Sequence, residues 1–319
     1  MFILLDARRC ARNISVGYGV LISLSFATDA VHAQTAPLVP KTNQPYGKLA
    51  PLTHDPYHEL ETRYLFGFTE GSDIGVQGEQ AFEYEATTKS QKRGGRYSIL
   101  EQELEYENVP TQNFGYELSA HGLAYSVHNV EGMDNARGFN LSGLSAKVRY
   151  LAIGRGPGSP FGLTFVVEPE WARIDDGGQH VTDFSNTFKA VADTELISNR
   201  LYGAINLTYT PDIVKSPGAV WETSSELGAT AALAYRISPK VALGGEVEYY
   251  SAFDGLAFKE FAGEALYLGP TLHIQVTPKI MIAAAFSTQV AGHAAGDSRL
   301  LDLHNFTRSK GNLKVEFEF

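Results

Sequence analysis

The chain has 319 residues, of which 44% are hydrophobic, 11% aromatic and 19% charged, with a formal net charge of −10. This composition excludes a disordered chain, and a single cysteine excludes an internal disulfide. The negative charge argues against nucleic acid as a partner, and the absence of any run of about 18 apolar residues excludes a helical membrane span.

The first predicted element is a cleaved signal peptide over residues 1–33. Three arginines precede an uncharged, mostly apolar stretch at 14–27, and the segment ends on Ala-Val-His-Ala. That order is typical of an exported chain, although an N-terminal core helix is the alternative. Cleavage after Ala33 would remove Cys10, the single cysteine, so the mature chain needs a large core or a closed sheet instead of disulfides.

The second predicted element, residues 34–78, is rich in Pro, Thr and Gly. We expect it to form a periplasmic lead-in or a partial plug. His54 and His58 have the spacing of two metal ligands on a helix, but Pro56 between them disfavours that helix. No metal or cofactor is predicted.

From residue 79 onward, apolar and polar residues alternate. In the last run Leu313, Val315, Phe317 and Phe319 share one face, and polar residues occupy the other. This period predicts β-strands with one face against apolar surroundings. Twelve such runs occur, at 79–88, 96–107, 113–127, 141–152, 161–173, 187–197, 200–215, 220–237, 240–252, 264–276, 280–290 and 312–319.

The connections between the runs differ in length by parity. Those after even-numbered runs are short, whereas longer ones follow most odd-numbered runs, at 128–140, 174–186, 253–263 and 291–311. Short turns at one end and long loops at the other are typical of outer-membrane barrels. We therefore predict an all-β fold, a closed antiparallel transmembrane β-barrel of about 12 strands over residues 79–319. A soluble β-sandwich is the rival fold, and residues 183–198 could instead form a short helix.

A cleaved signal, a mature chain without cysteine and a last strand closing on Phe319 resemble Gram-negative outer-membrane β-barrels. The segments at 65–71, 261–271 and 301–306 resemble an uncharacterised proteobacterial group of porins or transporters. The resemblance implies an outer-membrane location, contact with lipid, passage of small solutes, and assembly by the barrel-assembly machinery and periplasmic chaperones. The assembly signal would be Leu313, Val315, Phe317 and Phe319.

The polar face of the barrel would line the lumen, where sixteen acidic residues stand against five basic ones. The acidic set is Glu83, Glu85, Glu101, Glu103, Glu105, Glu117, Glu168, Glu170, Asp193, Glu195, Glu222, Glu226, Glu246, Glu248, Glu316 and Glu318. The basic set is Lys147, Arg149, Lys189, Arg200 and Lys314.

This charge balance predicts a passive pore or small-solute transporter with weak cation selectivity. Glu101, Glu103, Glu246 and Glu248 are the expected selectivity residues, because each is mid-strand. The alternative is a structural or adhesive barrel whose lumen is closed by carboxylate networks. An enzyme, such as one acting on lipid, is not predicted, since no motif pairs a histidine with a nucleophile.

Overall fold

The structure is a computed structural model that describes residues 61–156 and 159–319. The predicted signal peptide, Cys10 and the pair His54 and His58 lie outside the described residues. In the described part of the chain no helix is long and apolar enough to cross a membrane. The strands are β1 Gln80–Ser90, β2 Gly94–Thr111, β3 Phe114–Val130, β4 Ala136–Ile153, β5 Phe161–Ile174, β6 His180–Ile197, β7 Leu201–Lys215, β8 Glu222–Ser238, β9 Val241–Asp254, β10 Glu260–Thr277, β11 Ile280–Ala294 and β12 Ser309–Glu318.

The twelve strands form one closed antiparallel barrel in which each strand pairs with its neighbours in sequence. β12 pairs with β1, from Ala81 opposite Glu318 to Ser90 opposite Ser309, and this seam closes the sheet. Closure leaves no strand edge with unpaired backbone groups. The predicted fold class is confirmed, and residues 183–198 belong to strand β6 rather than to a helix.

The two ends of the barrel differ, but less than predicted. We call the end that carries 112–113, 154–156, 159–160, 198–200, 239–240 and 278–279 the turn end, and the opposite end the loop end. Three predicted long loops are wrong, because paired strands continue through most of 128–140, 174–186 and 253–263. The polar ends of these strands continue to pair because their backbone N–H and C=O groups then hydrogen-bond to the neighbouring strand. Residues 295–308 are the long loop that remains.

The outer surface of the barrel is apolar. Large hydrophobic side chains at outward positions stay exposed, including Leu104 at 57% and Phe286 at 52%. Leu313, Phe317 and Phe319 are on this outer face, as the alternation predicts, and the Val315 side chain points the same way. Such a band is the surface that lipid covers in a membrane barrel.

Aromatic rings cluster at both ends of the outer surface. At the turn end, the Phe82 ring lies 5.5 Å from that of Tyr106 and 5.4 Å from that of Phe319. At the loop end, the Tyr209 and Phe258 rings are 5.1 Å apart. This arrangement matches the two aromatic girdles of a membrane barrel.

The interior is filled in part by residues 61–78, which precede β1 and which we call the inner segment. Leu65 and Phe66 are buried in a cluster with small inward residues from three strands, among them Ala204, Ala234 and Ala242. Alanine at these inward positions leaves the room that the inner segment occupies. One apolar cluster therefore lies inside the barrel between the inner segment and the wall from β7 to β9. A second lies toward the loop end of β2, β3 and β5 and consists of Tyr97, Ile99, Leu123, Val127, Val130 and Ile174.

The opposite orientation of adjacent residues on β2 gives a direct test of the fold. Leu104 faces outward, whereas Glu103 lines the interior beside other carboxylates. Leu104→Arg should lower the free energy of unfolding in a lipid bilayer by about 2–4 kcal/mol, because it places a charge near the bilayer midplane. Glu103→Arg is the matched control and should cost much less. Denaturant titration of both variants in vesicles checks this, and equal costs would contradict the assigned orientation.

Candidate functional site: the barrel lumen

The inner segment runs into the turn-end half of the lumen, reverses, and leads back to β1. Its two arms are joined where the Gly71 backbone N–H donates to the Arg63 carbonyl at 3.2 Å and the Thr62 N–H donates to the Asp73 carboxylate at 2.9 Å. Gly67 lies at the reversal with a φ of +131°, and a Cβ there would lie 2.7–2.8 Å from side chains of the wall. Only glycine fits this conformation and this space.

Arg63 is the main charge on the first arm. Its guanidinium donates to Glu107 and Glu117 and lies 3.5 Å from Glu105. The ammonium of Lys147 lies 3.0 Å from Glu105 and 2.7 Å from Glu117. Arg149 Nε lies 3.9 Å from Glu117, so the three buried carboxylates from β2 and β3 are compensated by two cations from the wall and one from the inner segment.

Glu70 is the main charge on the second arm. It accepts hydrogen bonds from Lys189 and from Arg149, the latter at 2.7 Å. Asn206 fixes the backbone of the same residue, with the Glu70 N–H donating to its side chain at 2.7 Å and its amide donating back to the Glu70 carbonyl at 2.9 Å. Burial alone would raise the pKa of Glu70, but Lys189 and Arg149 lower it well below its usual value.

The tip of the inner segment is held by the middle of the wall. The Phe68 and Thr69 backbone N–H groups donate to Glu246 at 3.3 and 2.9 Å. The ammonium of Lys310 lies 4.4 Å from the centre of the Phe68 ring and 2.6 Å from the Glu248 carboxylate. Cation–π contact and ion pairing therefore hold the tip at the depth of Lys310.

The loop-end half of the lumen is more open than the turn-end half. It contains cavities of about 470 and 350 Å³ that share Thr87, Lys89 and Asp176, and we call the two together the vestibule. Phe68 lines the smaller cavity, so the tip of the inner segment forms part of the vestibule wall. The larger cavity is acidic, because eight carboxylates line it: Glu85, Glu101, Glu103, Glu168, Glu170, Asp175, Asp176 and Asp183.

One serine and one histidine meet at the edge of the vestibule. His121 Nε2 lies 3.0 Å from Ser145 Oγ, and His121 Nδ1 lies 4.0 Å from the Glu103 carboxylate. A nucleophilic serine needs donors that stabilise a developing oxyanion. Here Glu168 lies 3.4 Å from Ser145 Oγ and would repel that charge. We therefore interpret the contact as a hydrogen bond of the lumen lining.

The predicted lumen residues divide into paired and open positions. Glu101 pairs with Lys89, Glu83 and Glu85 lie near Lys314, and Glu248 pairs with Lys310. Glu103, Glu168 and Glu170 line the open vestibule, where Glu168 also lies 4.0 Å from the ammonium of Lys147. The placement of Arg200 was wrong, because its exposed guanidinium donates to the outward Tyr235 at 3.4 Å. Arg200 belongs to a tight turn at the end of the wall, beyond the alternating part of β7.

Sequence reasoning missed the charges contributed by the inner segment and by Lys89 and Lys310. The signal that could have revealed the segment is the run of inward alanines, because a wall of small residues needs something to pack against it. Ala204, Ala232 and Ala234 are each at most 5% exposed in spite of their position on a barrel interior.

Residues 58–319 match the family described as a family of unknown function, DUF6662. No curated protein matches the chain in sequence. Among solved structures, an outer-membrane channel from Pseudomonas putida F1 is 10% identical with a TM-score of 0.52, covering 78% of this chain and 98% of that one. The beta domain of the Bordetella autotransporter BrkA is 12% identical with a TM-score of 0.52, covering 76% of this chain and all of that one. These similarities extend to the fold alone.

Removing the positive charge of Arg63 tests how the lumen is held together. Arg63→Met should lower the free energy of unfolding by about 3–5 kcal/mol, since it leaves the buried Glu107 without its ion-pair partner and removes one of the cations at Glu105 and Glu117. Arg299→Met is the control, because Arg299 is exposed and pairs with Asp297 at the surface, so its loss should cost less than about 1 kcal/mol. Unfolding in detergent measures both, and two equally small changes would mean that the carboxylates need no counter-charge.

Proposed function

The chain belongs to DUF6662, a family of unknown function, and from the lumen geometry we propose that it is an outer-membrane channel for small polar solutes with a preference for cations. The observation that carries the proposal is the acidic vestibule, open space of about 470 Å³ inside a closed barrel whose outer face is apolar. A solved barrel of similar fold is itself described as an outer-membrane channel.

The proposed location is the Gram-negative outer membrane, reached through the predicted signal peptide. Support comes from the apolar outer band, the two aromatic clusters and the even number of strands, which are properties of barrels in that membrane. We further propose that periplasmic chaperones and the barrel-assembly machinery insert the chain. β12 would then present Leu313, Val315, Phe317 and Phe319 on its apolar face.

The proposed route for solutes leads from the vestibule past the inner segment. In the described structure the turn-end half of the lumen is packed, with Leu65 and Phe66 at most 1% exposed. A solute can therefore pass only when the inner segment shifts. The restraints on that shift are the apolar packing of Leu65 and Phe66 and the polar contacts of Arg63, Glu70 and the tip.

Cation preference follows from the vestibule. Carboxylates in a confined, low-dielectric space raise the local cation concentration and repel anions. Glu246 and Glu248 are engaged by the inner segment and by Lys310. We therefore propose Glu103, Glu168 and Glu170, which line the open cavity, as the residues that set selectivity.

Weakening the contacts of the second arm with the wall tests whether the inner segment is the barrier to solutes. Glu70→Gln removes the ion pairs with Arg149 and Lys189, so the mean conductance in planar bilayers should rise several-fold over that of the wild type. Acidification to pH 5 should not mimic the variant. The lowered pKa of Glu70 keeps its carboxylate charged there, and the restraint is lost only as the pH falls through that lowered value.

The control is Glu131→Gln, which removes the same charge from an exposed loop residue. A conducting wild type whose conductance Glu70→Gln leaves unchanged would show that the inner segment is not the barrier. If folded wild type and variant both conduct nothing, the second candidate function holds, a structural barrel with a closed lumen. The packing of Leu65 and Phe66 is the observation that favours that candidate.

Removing vestibule charge tests selectivity. The triple variant Glu103→Gln, Glu168→Gln and Glu170→Gln should move the reversal potential under a KCl gradient toward the nonselective value. The effect should be largest at low salt, because screening over about 8–10 Å weakens it at physiological ionic strength and above. A control that removes two exposed charges from the turn after β3, Glu131→Gln and Asp134→Asn, should keep the wild-type potential. Full selectivity in the vestibule variant would refute the assignment.

A further inference from the structure

Three carboxylates converge at the turn end, where the described chain begins and the last strand ends. Glu61 opens the inner segment, and Glu316 and Glu318 point inward from β12. One oxygen from each of the three side chains lies within 4.8 Å of the others. We call these residues the terminal acidic cluster.

The terminal acidic cluster differs from the other acidic group of the lumen in having no counter-charge in direct ion-pair contact. Arg63 and Lys279 act on it electrostatically from farther away. Glu105, Glu107 and Glu117 are bridged by Arg63 and Lys147. Among the described residues, no lysine or arginine forms an ion pair with Glu61, Glu316 or Glu318. The nearby Arg63 is already engaged by the other group.

Glu316 is the least satisfied side chain of the cluster. It is 2% exposed, and within the described part of the chain neither of its carboxylate oxygens has a hydrogen-bond partner. A buried carboxylate without a partner is costly, and buried polar groups in proteins are normally satisfied. Both oxygens therefore point to a ligand that completes the site.

The chemistry of the site selects the ligand. Three carboxylates offer up to six oxygens with adjustable denticity, which suits Ca²⁺, a hard cation that takes 6–8 oxygens in flexible geometry. Mg²⁺ demands a stricter octahedron and keeps its waters, so it fits less well. Glu79 adds a fourth carboxylate that acts electrostatically on Glu61 and Glu318, and its Oε1 is also buried without a partner.

We propose that Glu61, Glu316 and Glu318 bind a Ca²⁺ ion that ties the start of the inner segment to the last strand. The two strand ligands lie on the strand that closes the barrel, opposite Glu83 and Ala81 of β1. The ion would therefore fix the inner segment at the seam of the barrel. This site is independent of whether the lumen conducts.

Calcium titration of the refolded chain tests the site. The full chain is refolded from denaturant into detergent free of lipopolysaccharide, which itself carries calcium, then stripped with EDTA and titrated with CaCl₂ by calorimetry at neutral pH. We expect one Ca²⁺ per chain, weaker binding of Mg²⁺, and at least a tenfold loss of Ca²⁺ affinity in Glu316→Gln and in Glu318→Gln. Glu131→Gln, at an exposed loop position, should bind as the wild type does.

A second readout covers the case in which Glu316→Gln fails to refold. Glu61 and Glu318 are only partly buried, so Glu61→Gln and Glu318→Gln then carry the comparison. Ca²⁺ should raise the unfolding temperature of the wild type over that in EDTA and leave these variants unchanged. Absence of saturable Ca²⁺ binding by the wild type, or undiminished binding by Glu61→Gln and Glu318→Gln, would overturn the proposal.

Discussion

The structure depends on one electrostatic constraint: a carboxylate inside a closed barrel must find a cation, a hydrogen-bond donor or water. The inner wall carries far more acidic than basic side chains, and the lysines and arginines of the wall are too few to neutralise its carboxylates. Arg63 is brought to Glu107 and Glu117 by the inner segment rather than by a neighbouring strand. The charge imbalance of the wall is therefore part of the reason why residues outside the strands lie in the lumen.

The inner segment contacts two different surfaces of the barrel wall. Strands β2 to β6 present charged and polar side chains to it, such as Arg149, Lys189 and Asp193. Strands β7 to β9 present alanines near the turn end, on which Leu65 and Phe66 pack. Farther along the same strands, Asn206 and Glu246 accept hydrogen bonds from the backbone of the second arm and of the tip. One short segment thus satisfies charge on one side and buries apolar area on the other, which leaves the vestibule as the open part of the lumen.

Most of the fold could be predicted from the sequence because period-2 alternation reports directly on a wall between lipid and a polar interior. Each of the twelve predicted runs overlaps one strand, and the orientation predicted for β12 is the one observed. The loops were less predictable, because strands that extend beyond the apolar band lose the alternation but keep their pairing. For the lumen, only the composition of its lining could be predicted. Which charged side chains meet there depends on residues 61–78, whose sequence has no periodicity. Arg200 shows that the alternation of inward and outward side chains does not extend into a turn.

The position of the inner segment at the start of the described chain has a consequence for folding. Its partners are spread over the whole barrel, so that the carbonyl of Tyr64 meets His273 across 209 residues of sequence. Contacts between residues so far apart in sequence require a large loop to close before they can form, and this entropic cost slows the folding of a domain. The interior can adopt its native packing only after the final strands have paired, because residues of the inner segment pack against those strands. Barrel closure and the ordering of the interior are therefore expected to be one cooperative step, in which the wall assembles around the inner segment.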